Sequence, residues 1–163
     1  LKNKGEDLNQ SFENDFSVQI KLGISLLIPE EYMSDLAMRM NFYKKIASLK
    51  DIDEQENLQI EMTDRFGKLP EEILNLMEIS LLKSMCKQVV IERLEALKDG
   101  ILISFKDNKF TDPDALLQMI FSSGNKIKIH SGQRVLFMKD TSSQASKIKS
   151  AFEVVEKISS LLN

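Results

Sequence analysis

The stretch DRFGKLPEE, from Asp64 to Glu72, is the most tightly specified corner of this 163-residue chain. It predicts that one helix ends at Phe66, with Gly67 where a left-handed cap follows the last turn. Pro70 and the two glutamates behind it predict the start of the next helix, because proline fits a first turn and acids complement the helix dipole. The corner therefore predicts two helices joined by a short turn.

A strand is predicted upstream of this corner. From residue 17 to residue 26 apolar and polar side chains alternate, with the period of two that is typical of a half-buried strand, and Pro29 ends the pattern. The apolar face of this strand comprises Val18, Ile20, Leu22, Ile24 and Leu26.

Three helices are predicted between this strand and residue 88, because apolar residues recur there at steps of three and four. They begin near Ser34, about Asp53 and Pro70, and the last two end at Phe66 and about Gln88. The residues expected to be buried are Met33, Leu36, Met40, Tyr43 and Ala47 in the first, Leu58, Met62 and Phe66 in the second, and Leu74, Met77, Leu81 and Met85 or close neighbours in the third.

Short strands and two helices are predicted after Gln88. Residues 91–97 and 100–105 predict a hairpin. Asp112-Pro113-Asp114 predicts the cap of a helix of about ten residues that ends at the Ser-Ser-Gly of 122–124. Residues 126–130 and 134–139 predict two further strands, and about 143–162 an amphipathic helix. The predicted fold class is α+β: an N-terminal strand and three-helix segment followed by a small, mostly antiparallel sheet with two helices. Residues 1–14 are interpreted as a linker or disordered lead-in, and 15–163 as a single domain.

Charge and composition limit the function classes. The net charge is −3, but residues 1–99 hold 19 acids and 13 bases whereas residues 100–163 hold 6 acids and 9 bases. Strong direct binding to DNA is therefore not expected. A weak nucleic-acid-binding module built on the C-terminal strands is the alternative, with Phe137 as the only nearby aromatic residue. Its cations would be Lys126, Lys128, Arg134 and Lys139.

The compartment and extent of the protein are also predicted. One cysteine and no apolar run of about 20 residues favour a cytoplasmic protein without a membrane partner. Leu1 in place of methionine indicates a piece of a longer chain.

No catalytic, metal or cofactor site is predicted. The glycines are scattered and form no phosphate-binding loop, and Cys86 and His130 are the sole residues of their types, which is too few for zinc. A small enzyme using Glu61, Asp64 and His130 is a further alternative, but no acid is paired with a nucleophile.

Glu61, Asp64 and Arg65 form the most distinctive charged group. They are three and four residues apart and share one side of the second predicted helix. The spacing is compatible with an internal Glu61–Arg65 pair and with a docking surface for a basic partner.

A longer pattern surrounds this group. In order, the chain contains Ile28-Pro29, Tyr32-Met33, Asp35, Arg39-Met40, Tyr43-Lys44-Lys45-Ile46-Ala47, Glu61-Met62, Asp64 to Gly67 and Leu69-Pro70. This order resembles the C-terminal domain of the bacterial transcription-repair coupling factor, strongly over residues 26–83 and more softly beyond. Met33, Met40 and Lys45 replace the family's usual isoleucine, leucine and arginine, and they keep apolar volume or charge.

The resemblance implies a function. Proteins of this family are ATP-dependent DNA translocases that displace stalled RNA polymerase from damaged double-stranded DNA and recruit nucleotide excision repair. ATP and Mg²⁺ belong to motor domains absent from this chain, so the fragment is expected to hydrolyse nothing.

The resemblance also implies docking residues. The terminal domain folds back on the N-terminal repair-recruiting module and masks its surface for the repair recognition protein. Glu61, Asp64 and Arg65 are then the interdomain docking residues, and Phe66, Gly67 and Pro70 form the structural corner that presents them.

Overall fold

A computed structural model describes residues 16–162. The predicted lead-in, residues 1–14, lies outside them. The described chain forms β1 (Gln19–Lys21), α1 (Leu36–Ala47), α2 (Ile52–Phe66), α3 (Glu71–Gln88), β2 (Ile91–Leu97), β3 (Gly100–Phe105), α4 (Pro113–Ser122), β4 (Ile127–His130), β5 (Arg134–Met138) and α5 (Gln144–Ser160). This order confirms the predicted α+β fold.

The contacts within the chain divide it into two compact units. Residues 23–84 form a helical unit, and residues 16–22 together with 85–162 form a sheet unit. The prediction of one domain over 15–163 stays a prediction. None of the described helices is long and apolar enough to span a bilayer.

The sheet unit is built on one five-stranded sheet in the order β1-β2-β3-β5-β4. Three of its four pairings are antiparallel, and β1 joins it in parallel with β2. The predicted hairpin is present, since Leu97 pairs with Gly100 across the turn. The mostly antiparallel character is confirmed, but the sequence pattern did not indicate that β1 belongs to this sheet.

Gly100 lies where β3 and β5 approach closely. A Cβ atom at this position would lie 1.9 Å from the carbonyl oxygen of Phe137 and 2.9 Å from the amide nitrogen of Lys139. Both are backbone atoms, so no side-chain movement can make room. Only glycine permits this strand pairing without displacement of β5.

The core of the sheet unit lies between the sheet and α5, which contacts β2 and β3. Helix α5 starts at a reciprocal capping box, in which Ser143 and Ser146 bond each other's backbone. The fully buried side chains of β2, β3, β5 and α5 are Ile91, Leu94, Ile101, Ile103, Phe137, Ala151, Val154, Val155 and Ile158.

Helix α1 buries a different face from the one predicted. Leu36 and Met40 are 65% and 52% exposed, whereas Phe42 and Ile46 are buried. Apolar residues lie on both sides of this helix, so spacing alone left two possible stripes. The stripe with Phe42 and Ile46 is the buried one, and these two side chains carry no polar group, whereas the Tyr43 hydroxyl needs a hydrogen-bonding partner.

Strand β1 is shorter than the predicted strand of residues 17–26. Only Gln19–Lys21 pairs with a neighbour. The alternation of burial nevertheless continues, since Val18, Leu22 and Ile28 are buried and the intervening odd-numbered residues from 17 to 27 are exposed. The pattern identified the buried face correctly, but a period of two does not reveal where the partner strand ends.

Candidate functional site

Helix α2 carries the three predicted docking residues and is capped at both ends. The Asp51 side chain accepts a hydrogen bond of 2.8 Å from the Glu54 amide, and Glu54 in turn accepts one of 2.9 Å from the Lys50 amide. These bonds satisfy backbone donors that a helix start leaves unpaired. Leu58 and Met62 anchor the helix in the core of the helical unit, with 7% and 0% exposure.

The corner after α2 depends on an unusual backbone conformation. The helix ends at Phe66, and Gly67 follows with φ 90° and ψ −166°. The positive φ agrees with the predicted cap, but the extended ψ differs from the expected left-handed helical conformation and lies in a region used essentially only by glycine. The Gly67 amide still donates to the Thr63 carbonyl at 2.9 Å, so the last turn is closed.

Tyr32 holds this corner in place. Its hydroxyl donates to the carbonyl oxygens of Gly67 at 2.9 Å and Met62 at 3.2 Å. Its ring centre lies 5.8 Å from that of Phe66. Burial of the phenol raises the pKa of Tyr32, so the hydroxyl remains a donor at neutral pH. The tyrosine thereby fixes the direction in which α2 ends.

Phe66 extends this packing towards α1. Its ring meets that of Phe42 edge to face, with centres 5.5 Å apart. The Arg65 guanidinium lies over both rings, at 5.4 Å from Phe42 and 5.1 Å from Phe66. Arg65 therefore has an internal role in covering the aromatic cluster.

Pro70 lies at the start of α3, where its carbonyl accepts from the amides of Ile73 and Leu74 at 3.1 and 3.3 Å. The helix itself starts at Glu71, as the proline and glutamate signals predict. The predicted corner residues thus occupy the end of α2 and the start of α3.

Glu61 is engaged within the helical unit. Its Oε1 atom lies 3.1 Å from Lys45 Nζ and 3.4 Å from Arg65 Nη1. The internal Glu61–Arg65 pair compatible with the spacing is therefore present, and Lys45 adds a second cation. All three side chains are about 40% exposed or more, so each pair contributes modestly to stability.

Asp64 differs from its two neighbours. It is exposed, and its carboxylate makes no hydrogen bond or ion pair with any residue within 16–162. The structure thus brings the three docking candidates to one helix end but leaves only the Asp64 carboxylate wholly directed to solvent.

A shallow depression lies beside Glu61. Its volume is about 360 Å³, and it is lined by residues of α1, α2 and the connection between them: Lys45, Ser48, Leu49, Glu54, Asn57, Leu58 and Glu61. Two carboxylates and one ammonium group meet in this depression. Its size and charge suit a basic side chain from a partner.

Sequence reasoning missed the contributions of Tyr32 and Lys45 to this site. Both residues occur in the pattern quoted above, yet nothing in their spacing shows that they contact residues 16 to 35 positions away. Only the ordered motif in which they recur with the DRFG corner could have indicated the association.

Of the residues considered for an enzyme, His130 lies in the sheet unit beside Ser131 and Arg134. Its Nδ1 atom lies 3.5 Å from Ser131 Oγ and 3.4 Å from Arg134 Nη2, and neither is a carboxylate. Burial raises the pKa of the Cys86 thiol to about 12, so this group is a poor nucleophile. In the part of the chain that the structure describes, no three His, Cys, Asp or Glu side chains are grouped to hold a metal ion.

The four cations considered for nucleic-acid binding are only partly available. Arg134 donates to the Ser131 carbonyl at 2.7 Å, and Lys139 pairs with Glu153 at 2.9 Å. Lys126 and Lys128 are exposed, while Phe137 is buried and offers no face for a base. The arrangement lacks the continuous basic groove and stacking platform that single-stranded nucleic acids require.

Fold and site together define a class: a small mixed α/β domain that presents a charged helix end held by an aromatic corner. A protein-family model described as the TRCF domain matches residues 22–116, more than half of the chain. The chain therefore belongs to the TRCF domain family, and the resemblance stated from its sequence is confirmed.

Relatives and a solved structure agree with this assignment. The chain is 36% identical over 127 residues to the transcription-repair-coupling factor of Rickettsia typhi, which covers 78% of this chain and 11% of the relative. It is 28% identical over 131 residues to that of Escherichia coli K12, covering 80% of this chain and 11% of the relative. The chain thus spans about a tenth of these relatives (11%).

A crystal structure of the C-terminal domain of a transcription-repair coupling factor superposes on this fold with a TM-score of 0.72. The match covers 89% of this chain and 93% of that chain, at 24% identity. It supports the fold assignment.

Proposed function

We propose that this chain is the C-terminal regulatory domain of a transcription-repair coupling factor and docks on the N-terminal repair-recruiting module of the same protein. The full-length protein displaces stalled RNA polymerase from damaged double-stranded DNA and recruits the repair recognition protein. Its motor domains bind ATP and Mg²⁺, the present segment hydrolyses nothing, and the protein acts in the bacterial cytoplasm. Membership of the TRCF domain family and the names of the curated relatives support this proposal.

The observation that carries the docking proposal is the exposed, unpaired Asp64 carboxylate beside the Glu61–Arg65 pair. An unpaired surface carboxylate is fully hydrated, and a guanidinium on a partner can bind it with two parallel hydrogen bonds. Glu61 reaches the same partner through the depression that it lines, because its second oxygen is not used by Lys45 or Arg65.

The magnitude of this contact suits an interdomain switch. Charge pairs at a solvated surface contribute about 0.2–1 kcal/mol each, and a coupling of roughly 1–3 kcal/mol biases a closed state without locking it. The contact is also screened by salt, because the Debye length falls from about 10 Å at 0.1 M to about 3 Å at 1 M. Docking that opens in response to a signal needs this modest strength.

The test is calorimetric binding of the chain to the separately produced N-terminal module at low and moderate salt. Asp64→Asn removes the unpaired charge and leaves the Glu61 pairs intact, whereas Glu61→Ala/Asp64→Ala removes both acids. Glu56→Ala is the matched control, since this exposed acid lies on the same helix but is turned about 140° away from Glu61.

We expect salt-sensitive binding by the wild-type chain, binding up to about fivefold weaker by Asp64→Asn, and a larger loss in the double variant, in line with about 0.2–1 kcal/mol for each lost surface charge pair. Glu56→Ala binds like the wild type. Equal affinities for all four proteins, or no binding by the folded wild-type chain, would remove the docking role from this helix.

A further inference from the structure

The sheet unit has an open edge at β4. In the strand order β1-β2-β3-β5-β4 of the described residues, this strand pairs on one side only, with β5. Lys126 lies opposite Met138 and accepts its amide hydrogen at 2.8 Å, so this pair is hydrogen-bonded. Because bonded and non-bonded pairs alternate in an antiparallel ladder, the backbone groups of Ile127 and Ile129 are directed to the open edge.

The backbone of Ile127 already has a hydrogen-bonding partner within the chain. The Ser123 hydroxyl accepts the Ile127 amide at 3.1 Å and lies 3.5 Å from the Ile127 carbonyl oxygen. No residue within 16–162 bonds the backbone of Ile129. The edge therefore has one free donor and acceptor pair, at Ile129, which is the position where an added strand would bond.

An apolar groove lies on the face to which the Ile129 side chain projects. Its volume is about 510 Å³, and it is lined by residues of α4, the loop before it and the ends of three strands: Phe105, Asn108, Lys109, Phe110, Thr111, Pro113, Leu116, Leu117, Ile120, Ile129, Gln133 and Val135. Ile129 and Leu117 at this groove are 58% and 39% exposed, and Phe121, one turn beyond Leu117 on α4, is 80% exposed.

A strand added at the β4 edge would contact both the backbone of this edge and the apolar groove. A residue paired opposite Ile129 in an added strand places its side chain on the same face of the sheet as Ile129. That face is the groove, so a strand bound at this edge inserts an apolar side chain between β4 and α4. Its alternate residues project to the other face, which carries Lys128.

The positive charge around this edge favours a partner segment that carries acidic residues. Residues 115–139 contain no Asp or Glu. Of their cations, Lys126 and Lys128 are exposed at β4, whereas Lys139 is paired with Glu153. A binding segment that carries acids is thus attracted, and a basic segment is repelled. The groove is lined mostly by apolar side chains, which favours an apolar anchor over a nucleotide phosphate.

We propose that the β4 edge binds an extended segment of another protein in which acidic residues alternate with apolar ones, by adding it as a sixth strand. The backbone of Ile129 supplies the hydrogen bonds, the groove takes one apolar side chain, and Lys128 meets the acids on the other face. This surface belongs to the sheet unit, whereas Glu61 and Asp64 on α2 belong to the helical unit.

The test is selection of a random ten-residue peptide library displayed on phage against the whole chain, followed by binding and amide exchange with the enriched peptides. Ile129→Glu and Leu117→Glu introduce an acid at the groove, and Ile60→Glu is the matched control, because Ile60 is 61% exposed but lies on α2. A thymidine oligonucleotide of ten residues is tested in parallel.

We expect the enriched peptides to alternate acidic and apolar residues. Their binding should be about tenfold or more weaker to the two groove variants and unchanged for Ile60→Glu. The Ile129 amide should exchange more slowly when a peptide is bound. Enrichment of basic peptides, or equal binding by all variants, would overturn the proposal. Failure to enrich any peptide would do so too, and binding of the oligonucleotide alone would assign the surface to nucleic acid instead.

Discussion

Replacement of Gly67 by alanine tests how the corner is maintained. A Cβ atom at Gly67 meets nothing within 4 Å, so steric contact with other residues contributes nothing to the loss of stability. The remaining cost is backbone strain at φ 90° and ψ −166°, about 1–3 kcal/mol. We therefore expect the free energy of unfolding to decrease by that amount, which for a chain of this size corresponds to roughly 2–12 °C in melting temperature at about 2–4 °C per kcal/mol. Gly67→Val should lower stability at least as much and should also weaken docking.

The assay is urea unfolding followed by tyrosine fluorescence and by circular dichroism. The chain has two tyrosines and no tryptophan, and both tyrosines, Tyr32 and Tyr43, lie in the helical unit. Tyrosine fluorescence therefore reports on the unit that contains Gly67. Gly132→Ala is the control, because φ 73° and ψ 27° at Gly132 lie in the left-handed region that alanine enters at lower cost. An equal or smaller loss in Gly67→Ala than in Gly132→Ala would refute the strain argument.

Three further predictions concern other positions. Gly100→Ala should destabilise the protein by roughly 3 kcal/mol or more, since the new methyl group meets backbone atoms of β5. Gly124→Ala has open space around it and should cost about 1 kcal/mol. Urea denaturation of both variants compares the two losses of stability. Tyr32→Phe should lower the free energy of unfolding by about 1–2 kcal/mol, because two carbonyl oxygens lose their donor, and unchanged stability would contradict this role. The hydrogen bond and charge of Lys139 lower the pKa of Glu153 in the folded protein. This pair therefore stabilises the fold above the unfolded pKa of Glu153 (4.5), and the contribution is lost as the pH falls through the lower folded pKa. In Lys139→Met, NMR titration of the carboxyl group should show that the pKa of Glu153 rises.

Much of the fold was predictable because local signals and tertiary structure agree in it. The glycine, proline and acidic residues of the 64–72 corner specify a helix end and a helix start by backbone chemistry alone, and α2 ends at Phe66 as expected. The β2–β3 hairpin is likewise predicted by its turn residues. These elements need no knowledge of their neighbours.

Other features depend on partners that spacing does not reveal. Helix α1 has apolar residues on two sides, so only its packing shows that Phe42 is buried and Leu36 is exposed. The pairing of Glu61 with Lys45 joins residues 16 positions apart, and the Tyr32 hydroxyl bond spans 35. The charge at Asp64 was predictable, whereas its lack of an internal partner was not.

The measurement that tests the central claim most directly is competition for the N-terminal module. Labelled repair recognition protein is bound to that module, and this chain is titrated in as wild type, Asp64→Asn or Glu56→Ala. Masking predicts that the wild type and Glu56→Ala displace the repair protein competitively and that Asp64→Asn requires up to about fivefold more protein to do so. Simultaneous binding of the chain and the repair protein to one module would contradict masking.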